Sequence, residues 1–336
     1  MKKHVNIPIF IPHLGCPNAC VFCNQHKISG KADFVFERAK SELEQAFSTV
    51  DPSVTEAEIA FFGGSFTGID RELMCALLEL AEEYVRSGQA VSIRLSTRPD
   101  YIDEPVLRIL ASYSVKTIEL GIQSCSDRVL ASCNRGHTYA DTVRACTLIR
   151  EFGFSLVGQM MVGLPEATLV DELETAEYIC QHASAARIYP TVVFYDTELW
   201  KMAQRGIYIP LDLDSAVERT AKVLEIFIAH SIPVIRIGLQ ASENLSDPKD
   251  VFSGANHPAL GEMVMSRVFL YRMREILQNH PEKVGKTVTF SVPKGATSKV
   301  LGQHGENREK LCREFSIKSV KIVEKSEDFL YNIKLV

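Results

Sequence analysis

The chain has 336 residues, 46% hydrophobic and 24% charged, with a formal net charge of −5. That length allows one large domain or two to three smaller ones with a sizeable core, and excludes a peptide hormone, a bare zinc module and a disordered tail. The balance of 37 basic to 42 acidic residues gives no strong field for steering a polyanion.

No apolar run reaches the ~18–20 residues a bilayer span needs. Pro8, Pro12 and His13 interrupt the opening stretch before a signal-peptide core can form. A cytoplasmic protein with no membrane partner is expected. The nine cysteines are an odd number. Cys75, Cys125, Cys133, Cys146, Cys180 and Cys312 are scattered singly, which is a poor disulfide framework, whereas Cys16, Cys20 and Cys23 are clustered.

Strand-like runs at 5–11, 57–62, 91–96, 116–121, 155–162 and 186–194 alternate with helical segments at 34–48, 70–86, 104–111, 138–152 and 168–181. The alternation predicts βα units and a mainly parallel sheet. Six units fall short of the eight of a closed barrel, so a partial barrel or a doubly wound sheet is expected, with function at the strand C-terminal ends. Five motifs follow the first five strands: the cysteine loop, Gly63-Gly64-Ser65, Thr97-Arg98-Pro99, Gln123-Ser124 and Gly163-Leu164-Pro165.

A helix at 213–230, a strand at 234–239, a loop around Gly254 and Pro258 and a helix at 259–279 come next, and a turn at 281–286 marks a boundary. Residues 282–336 hold 11 basic and 7 acidic residues, a net +4, so the remainder carries −5 − 4 = −9. The tail predicts a strand at 287–292, helices at 295–301 and 306–315, and strands at 318–323 and 329–335. Gly302-Gln303-His304-Gly305 stands between its two helices.

The spacing C-x3-C-x2-C at Cys16, Cys20 and Cys23 can hold three irons of a cubane cluster and leave the fourth open. A zinc site is the alternative, with His13 or His26 as fourth ligand. With Phe22 before the third cysteine, the motif resembles the signature of the radical S-adenosylmethionine (SAM) superfamily, whose fold is a partial (β/α)6 barrel. The resemblance implies that Cys16, Cys20 and Cys23 ligate a [4Fe-4S] cluster whose open iron is chelated by the methionyl amine and carboxylate of SAM. It further implies reduction by a partner such as flavodoxin or ferredoxin, and cleavage of SAM to a 5′-deoxyadenosyl radical that takes a hydrogen atom from substrate.

Gly63-Gly64-Ser65 resembles the superfamily's Gly-Gly-Glu motif, with Ser65 in place of Glu; a plain tight turn is the alternative. Ser96-Thr97-Arg98, Gly121-Ile122-Gln123-Ser124, Asn134-Arg135-Gly136-His137 and Met161-Val162-Gly163-Leu164-Pro165 are similar to the branch holding oxygen-independent coproporphyrinogen oxidase and the catalytic subunit of Elongator. By that resemblance these positions line the SAM pocket, with Gln123 and Arg135 on its nucleoside and carboxylate. Gln159 and Ser96 stand where the porphyrinogen enzyme has Asp and Glu. Arg135 suits a carboxylate because its fork meets both oxygens; a surface salt bridge is its other explanation. Glu119, on a strand expected to be buried, either points into the barrel mouth or pairs with a helix.

The Elongator likeness covers roughly residues 4–240 and extends through Arg187-Ile188-Tyr189-Pro190-Thr191. The last ~100 residues read differently from the acetyltransferase domain that subunit adds, so acetyl transfer is not expected. Arg236, Gln240, His257 and Glu262 either contact substrate or brace the added layer, and His257 before Pro258 reads as a turn cap.

The tail resembles a KH domain, in which a G-x-x-G loop clamps about four nucleotides. Gly302, Gln303, His304 and Gly305 with Lys299, Arg308 and Lys310 would then meet RNA phosphates. A cap used only for packing is the alternative. The expected organisation is therefore α/β: a partial (β/α)6 TIM-like barrel at 1–240, an extension at 241–282 and a small α+β KH-like domain at 283–336. The function implied is a radical SAM enzyme acting on a tRNA base, with no DNA partner. A small-molecule or tetrapyrrole substrate, and a noncatalytic iron–sulfur or cofactor-delivery protein, are the competing expectations.

Overall fold

The computed structural model describes residues 2–11, 14–16, 20–24, 34–239, 249–325 and 331–336. His13, His26 and Gln240, named above, lie outside them. Its main sheet has seven parallel strands: β1 (Lys3–Ile11), β2 (Thr55–Gly63), β3 (Ser92–Thr97), β4 (Val115–Gln123), β5 (Ser155–Val162), β6 (Ala185–Pro190) and β8 (Val234–Ile237). The connecting helices are α1 (Phe36–Phe47), α2 (Arg71–Arg86), α3 (Glu104–Ala111), α4 (Asp127–Ser132), α5 (Tyr139–Glu151), α6 (Leu169–His182), α7 (Glu198–Gln204) and α8 (Leu213–Ala229).

The strands lie side by side in chain order. Crossovers of one hand between successive parallel neighbours put α1, α2, α3, α5, α6 and α8 on the same face of the sheet. A doubly wound sheet would reverse direction partway; this one does not, and it curls into an open barrel. Ile7, Ile9 and Ile11 of β1, Ile59 and Phe61 of β2, Ile118, Leu120 and Ile122 of β4 and Ile188 of β6 form one apolar core with Leu43 of α1, Leu77 and Leu78 of α2 and Ile149 of α5. Side chains alternate along a strand, so Phe10, Glu58, Phe62, Arg94, Ser96, Glu119, Gln159, Arg187 and Tyr189 project to the inner face.

The strand expected at 186–194 breaks at Thr191. Pro190 has no N–H to continue a ladder, and the Thr191 N–H and Oγ1 both donate to Val162 O at 2.8 Å. Beyond the break, β7 (Val192–Phe194) pairs antiparallel with β9 (Val251–Gly254), which periodicity does not suggest. Gly254 has φ +104°, and a Cβ there would meet Thr191 O at 2.5 Å, so only glycine permits this approach. The short helices α4 and α7, of six and seven residues, are also unexpected, since neither completes the two turns that make a periodicity visible.

Helix α9 (Leu260–Gln278) joins two cores. Its Val264 and Val268 belong to the main core, whereas Phe269, Leu270, Met273 and Leu277 pack with Val288, Phe290, Val292, Val300 and Leu311 of the tail. The tail runs β10 (Thr287–Pro293), α10 (Thr297–Leu301), α11 (Glu306–Glu314), β11 (Ser319–Lys325) and β12 (Lys334–Leu335). The order is β11-β10-β12, with β11 parallel and β12 antiparallel to β10. No described helix is long and apolar enough to cross a membrane.

Candidate active site

The five loops after β1 to β5 gather at one rim. The cysteine loop is laid against the turn after β2 by backbone bonds, Gly64 N–H to Ile11 O at 2.8 Å and Ser65 N–H to Leu14 O at 3.1 Å. A Cβ on Gly64 would strike Leu14 O, and one on Gly15, at φ +71°, would strike Ser65 O. The glycines are therefore required for the two loops to touch. Ser65 is buried with its Oγ 3.6 Å from Cys16 Sγ.

Cys20 is buried and its carbonyl accepts the Cys23 N–H at 3.0 Å. Between them, Val21 and Phe22 enter an apolar cluster with Val129, Cys133, Leu164, Val193 and Leu199. Val21 N–H donates to Cys133 O at 3.0 Å, and Val21 O accepts the Leu199 N–H at 2.8 Å. The unexpected helices α4 and α7 thus anchor the cysteine loop. Among the described residues no three His, Cys, Asp or Glu side chains converge to hold one metal ion. A cubane cluster does not ask for this, because each thiolate binds a different iron.

Arg135 spans the rim. Its Nη1 donates to Cys20 Sγ at 3.4 Å and its Nη2 to Gly121 O at 3.0 Å. It is 7% exposed, which rules out the surface salt bridge. A side chain on Gly121 would overlap Arg135 Nη2 at 2.8 Å and Gln123 Nε2 at 2.9 Å. Gln123 ends β4 at φ +66°, after a slip in the β4–β5 register, and Asn134 has φ +51°. Left-handed backbone at two non-glycine residues beside one site is strain of the kind held at functional positions.

Among the described residues, three side chains around this point keep buried polar atoms without hydrogen-bond partners, Arg98 Nη1, Gln123 Oε1 and Arg135 Nε, and the buried His137 ring lies against the Ile122 backbone beside them. Burial, with the neighbouring Arg135 second, lowers the His137 pKa to about 3, so its ring is neutral. Arg98 is 1% exposed and grips Asp100 through Nε and Nη2, both at 2.9 Å. Thr97 is turned to Thr67, their hydroxyls 2.6 Å apart. Ser96 and Gln159 sit half-buried on the inner face.

Glu119 settles between its two alternatives. It points to the inner face and pairs with no helix; what the expectation lacked is its partners, since it accepts from Arg94 Nη1 at 2.8 Å and Arg187 Nη2 at 2.9 Å on the strands β3 and β6. Arg94 Nε continues to Glu58 at 2.7 Å, and the Arg187 guanidinium lies over Phe62 at 5.6 Å. Sequence reading missed Glu58, Arg94, Glu172, Tyr208 and Arg219, whereas His137 falls in the motif it singled out. Glu172, on α6, accepts the Gly163 N–H at 2.6 Å and pairs with Arg219, while Tyr208 Oη donates to Gly163 O at 2.7 Å, so all three clamp the Gly163 turn. The one available signal was the Thr168…Asp171 capping box just before Glu172. His257 Nδ1 accepts the Ala259 N–H at 3.1 Å, a turn cap.

In the tail, Gln303 and His304 are exposed, while Gly302 lies against Ser266 and Asn307. Arg308 is exposed, Lys299 half-buried, and Lys310 is paired with Glu306 at 3.0 Å. Gln303 and His304 stand on the turn between α10 and α11, Lys299 on α10, and Arg308 and Lys310 on α11.

Comparison with known proteins bears on the barrel. The chain is 26% identical over 202 residues to a tRNA uridine(34) acetyltransferase of Methanocaldococcus jannaschii, covering 54% of this chain and 37% of that protein. It is 25% identical over 254 residues to Elongator complex protein 3 of Saccharomyces cerevisiae, covering 69% of this chain and 44% of that one. The chain thus spans less than half the length of either relative. Among solved structures, an archaeal Methanocaldococcus infernus Elp3 with its N-terminus deleted superposes with TM-score 0.60 at 20% identity, over 83% of this chain and 64% of that one, a likeness of fold. Residues 183–269 match the Radical SAM C-terminal domain. Residues 10–179, half of the chain, match the Radical SAM superfamily, so the chain belongs to that family of enzymes, whose cofactors are a [4Fe-4S] cluster and SAM.

Proposed function

We propose that Cys16, Cys20 and Cys23 hold the [4Fe-4S] cluster and that the rim between Gly63 and Arg135 holds SAM, for the modification of a tRNA base. The single observation that carries the site is the group of buried, unpartnered polar atoms beside Cys20. A buried donor or acceptor left unmet costs about 1–3 kcal/mol, and a ligand bearing a carboxylate, an amine and a nucleoside would satisfy several at once. Among the described residues Arg135 has Nε still to donate, Gln123 has Oε1 still to accept, and Arg98 has Nη1 still to donate.

When bound, cluster and SAM supply a 5′-deoxyadenosyl radical on one-electron reduction. This chain's residues bind and exclude. Arg135, whose Nη1 donates to Cys20 Sγ at 3.4 Å, ties the cysteine loop to the rim. The neutral His137 adds no further positive charge to a rim that already holds Arg98 and Arg135. Val21 and Phe22, packed on Leu164 and Leu199, close the loop from below.

The tRNA substrate is supported by the relatives and by the Gly302–Gly305 loop exposed between two helices of a β-α-α-β unit. The tail is proposed as a KH-like domain of residues 283–336, after a barrel at 1–240 and an extension at 241–282. Asn307, which donates to Ser266 O and Oγ of α9, and Arg274, paired with Glu314 at 2.5 Å, favour a packing cap as the second possibility.

Two experiments separate these. Anaerobically reconstituted protein with a reductant such as flavodoxin should release 5′-deoxyadenosine from SAM, and Cys20→Ala should abolish it; a fully loaded cluster that never cleaves SAM sinks the site assignment. Deleting the tail would uncover Phe269 and Leu270, so the exposed pair Gln303→Asp/His304→Asp is the better probe of tRNA contact. Unchanged tRNA affinity would favour the cap and a small-molecule substrate.

A further inference from the structure

The inner face of the sheet carries three arginines, Arg94, Arg187 and Arg236, against two carboxylates, Glu58 and Glu119. Arg94 lies between both carboxylates, and Glu119 is shared with Arg187. Arg236 on β8 stands directly beside Arg187 in register, and no ion pair to it forms among the described residues. Like charges on facing positions of neighbouring strands repel. The repulsion is unrelieved from within the sheet, because Glu119 is already held twice.

Donors are also left over. Arg187 is held along one edge by Glu119, Nε at 2.9 Å from Oε2 and Nη2 at 2.9 Å from Oε1, which leaves its Nη1 edge turned to the lumen side. One pleat on, Tyr189 has its hydroxyl 3.5 Å from Arg187 Nη1, and burial raises its pKa, which keeps the phenol a donor at neutral pH. Arg187, Tyr189 and Arg236 are each only partly buried, as side chains lining an open lumen are. One rung of the sheet runs Gly121–Gln159–Arg187–Arg236, starting at the carbonyl that Arg135 holds. Three strand steps of about 4.8 Å place Arg236 roughly 14 Å across the lumen from it.

We propose that Arg236, Arg187 and Tyr189 form an anion subsite on the β6–β8 side of the lumen that takes a phosphate group of the substrate. The Arg236 guanidinium, the Nη1 edge of Arg187 and a phenol offer more donors than a carboxylate's two oxygens can use, and a phosphate's oxygens match them. The phosphate is either a phosphodiester of RNA, which rests on the tRNA reading above, or the phosphate of a small substrate.

The test titrates inorganic phosphate into cluster-loaded, SAM-saturated protein by calorimetry. A charged hydrogen bond contributes about 1.5–3 kcal/mol, so Arg236→Gln should weaken phosphate roughly tenfold or more. Arg236→Lys should recover most of the loss, and Tyr189→Phe should cost a smaller factor. Arg236→Gln that takes phosphate as the wild type does overturns the subsite; because Arg236 braces nothing described, its fold should survive, and Tyr189→Phe reads the same subsite if it does not. A parallel filter assay with tRNA names the source. Loss of tRNA affinity in Arg236→Gln assigns the phosphodiester. Wild-type protein that binds phosphate through Arg236 but no tRNA overturns the RNA reading and leaves the subsite standing with a small phosphorylated substrate.

Discussion

The two faces of one sheet follow opposite rules. On β4, Ile118, Leu120 and Ile122 pack outward into the helices, while Thr117, Glu119 and Gly121 turn inward, and all six are buried. Strands of a parallel sheet are commonly apolar on both sides, because helices cover both. Here helices cover one side, and the other holds a chain of charges from Glu58 to Arg187. The outer face is solved by burial alone, and any apolar side chain of fitting volume serves. The inner face is solved only by pairing, since each carboxylate is acceptable because specific guanidinium groups meet it. A sheet that accepts that constraint does so where ligand must enter.

The sharpest way to break this contrast is Glu119→Ala. It leaves Arg94 with Glu58 alone and Arg187 with no carboxylate, and removing one partner of a buried pair costs about 3–5 kcal/mol. The matching outer change, Leu120→Ala, should cost about 2–5 kcal/mol from lost transfer and a residual cavity. Denaturant melts give both numbers, but SAM binding to the surviving folded protein separates them. Leu120→Ala should bind normally, whereas Glu119→Ala frees Arg187 and Arg94 to reorient in the lumen and should not. Equal binding by both variants would mean the ladder only braces the sheet.

What is legible in the sequence follows the same division. Outer-face strands and their helices fall within a few residues of their expected limits, because alternation and 3.6-residue periodicity record burial directly. The cysteine spacing is legible because its three ligands are local in sequence. The ladder is not: Glu58, Arg94, Glu119 and Arg187 come from four strands and each looks, in its own strand, like a misplaced charge. Only the register of β2, β3, β4 and β6 makes them one object. The same holds for Glu172, whose partners Gly163 and Arg219 lie on either side of it in the chain. The positive charge of residues 282–336 sets the tail apart in the sequence itself, but that α9 serves both cores emerges only from the packing of its two halves.

A milder test concerns pH. The His137 pKa falls from the usual 6.5 to about 3 in the folded chain. Between those values the unfolded chain holds a proton that the folded one does not, so stability rises with pH through the window and is full above 6.5. The slope is at most about 1.4 kcal/mol per pH unit for one proton. Above pH ~4.5 most carboxylates are ionised in either state, so urea melts of metal-free protein from pH 7 to 5 isolate the histidines. His137→Gln should flatten most of the slope, with His182, also lowered by burial, supplying the remainder. An unchanged slope would mean that His137 is not held neutral beside Arg135.

The smallest effect lies where the two faces meet, at the helix starts beneath the rim. Thr168 caps α6 and Asp171 returns the bond to the Thr168 N–H, a reciprocal pair. Asp171 also takes Arg128 at 3.0 Å, and the next residue, Glu172, reaches the Gly163 N–H. Thr168→Ala should cost about 1 kcal/mol. Were the cap what aims Glu172, the Gly163 amide would lose hydrogen-exchange protection beyond that global loss. Arg219 grips Glu172 through Nε at 2.9 Å and Nη2 at 2.6 Å, and Tyr208 holds the Gly163 carbonyl independently. The expected result is therefore a uniform loss, with the Gly163 turn no less protected than the strands around it. A selective loss at Gly163 would move control of the rim from the inner-face ion pairs to the outer helix cap, and the separation of the two faces would fail at this edge.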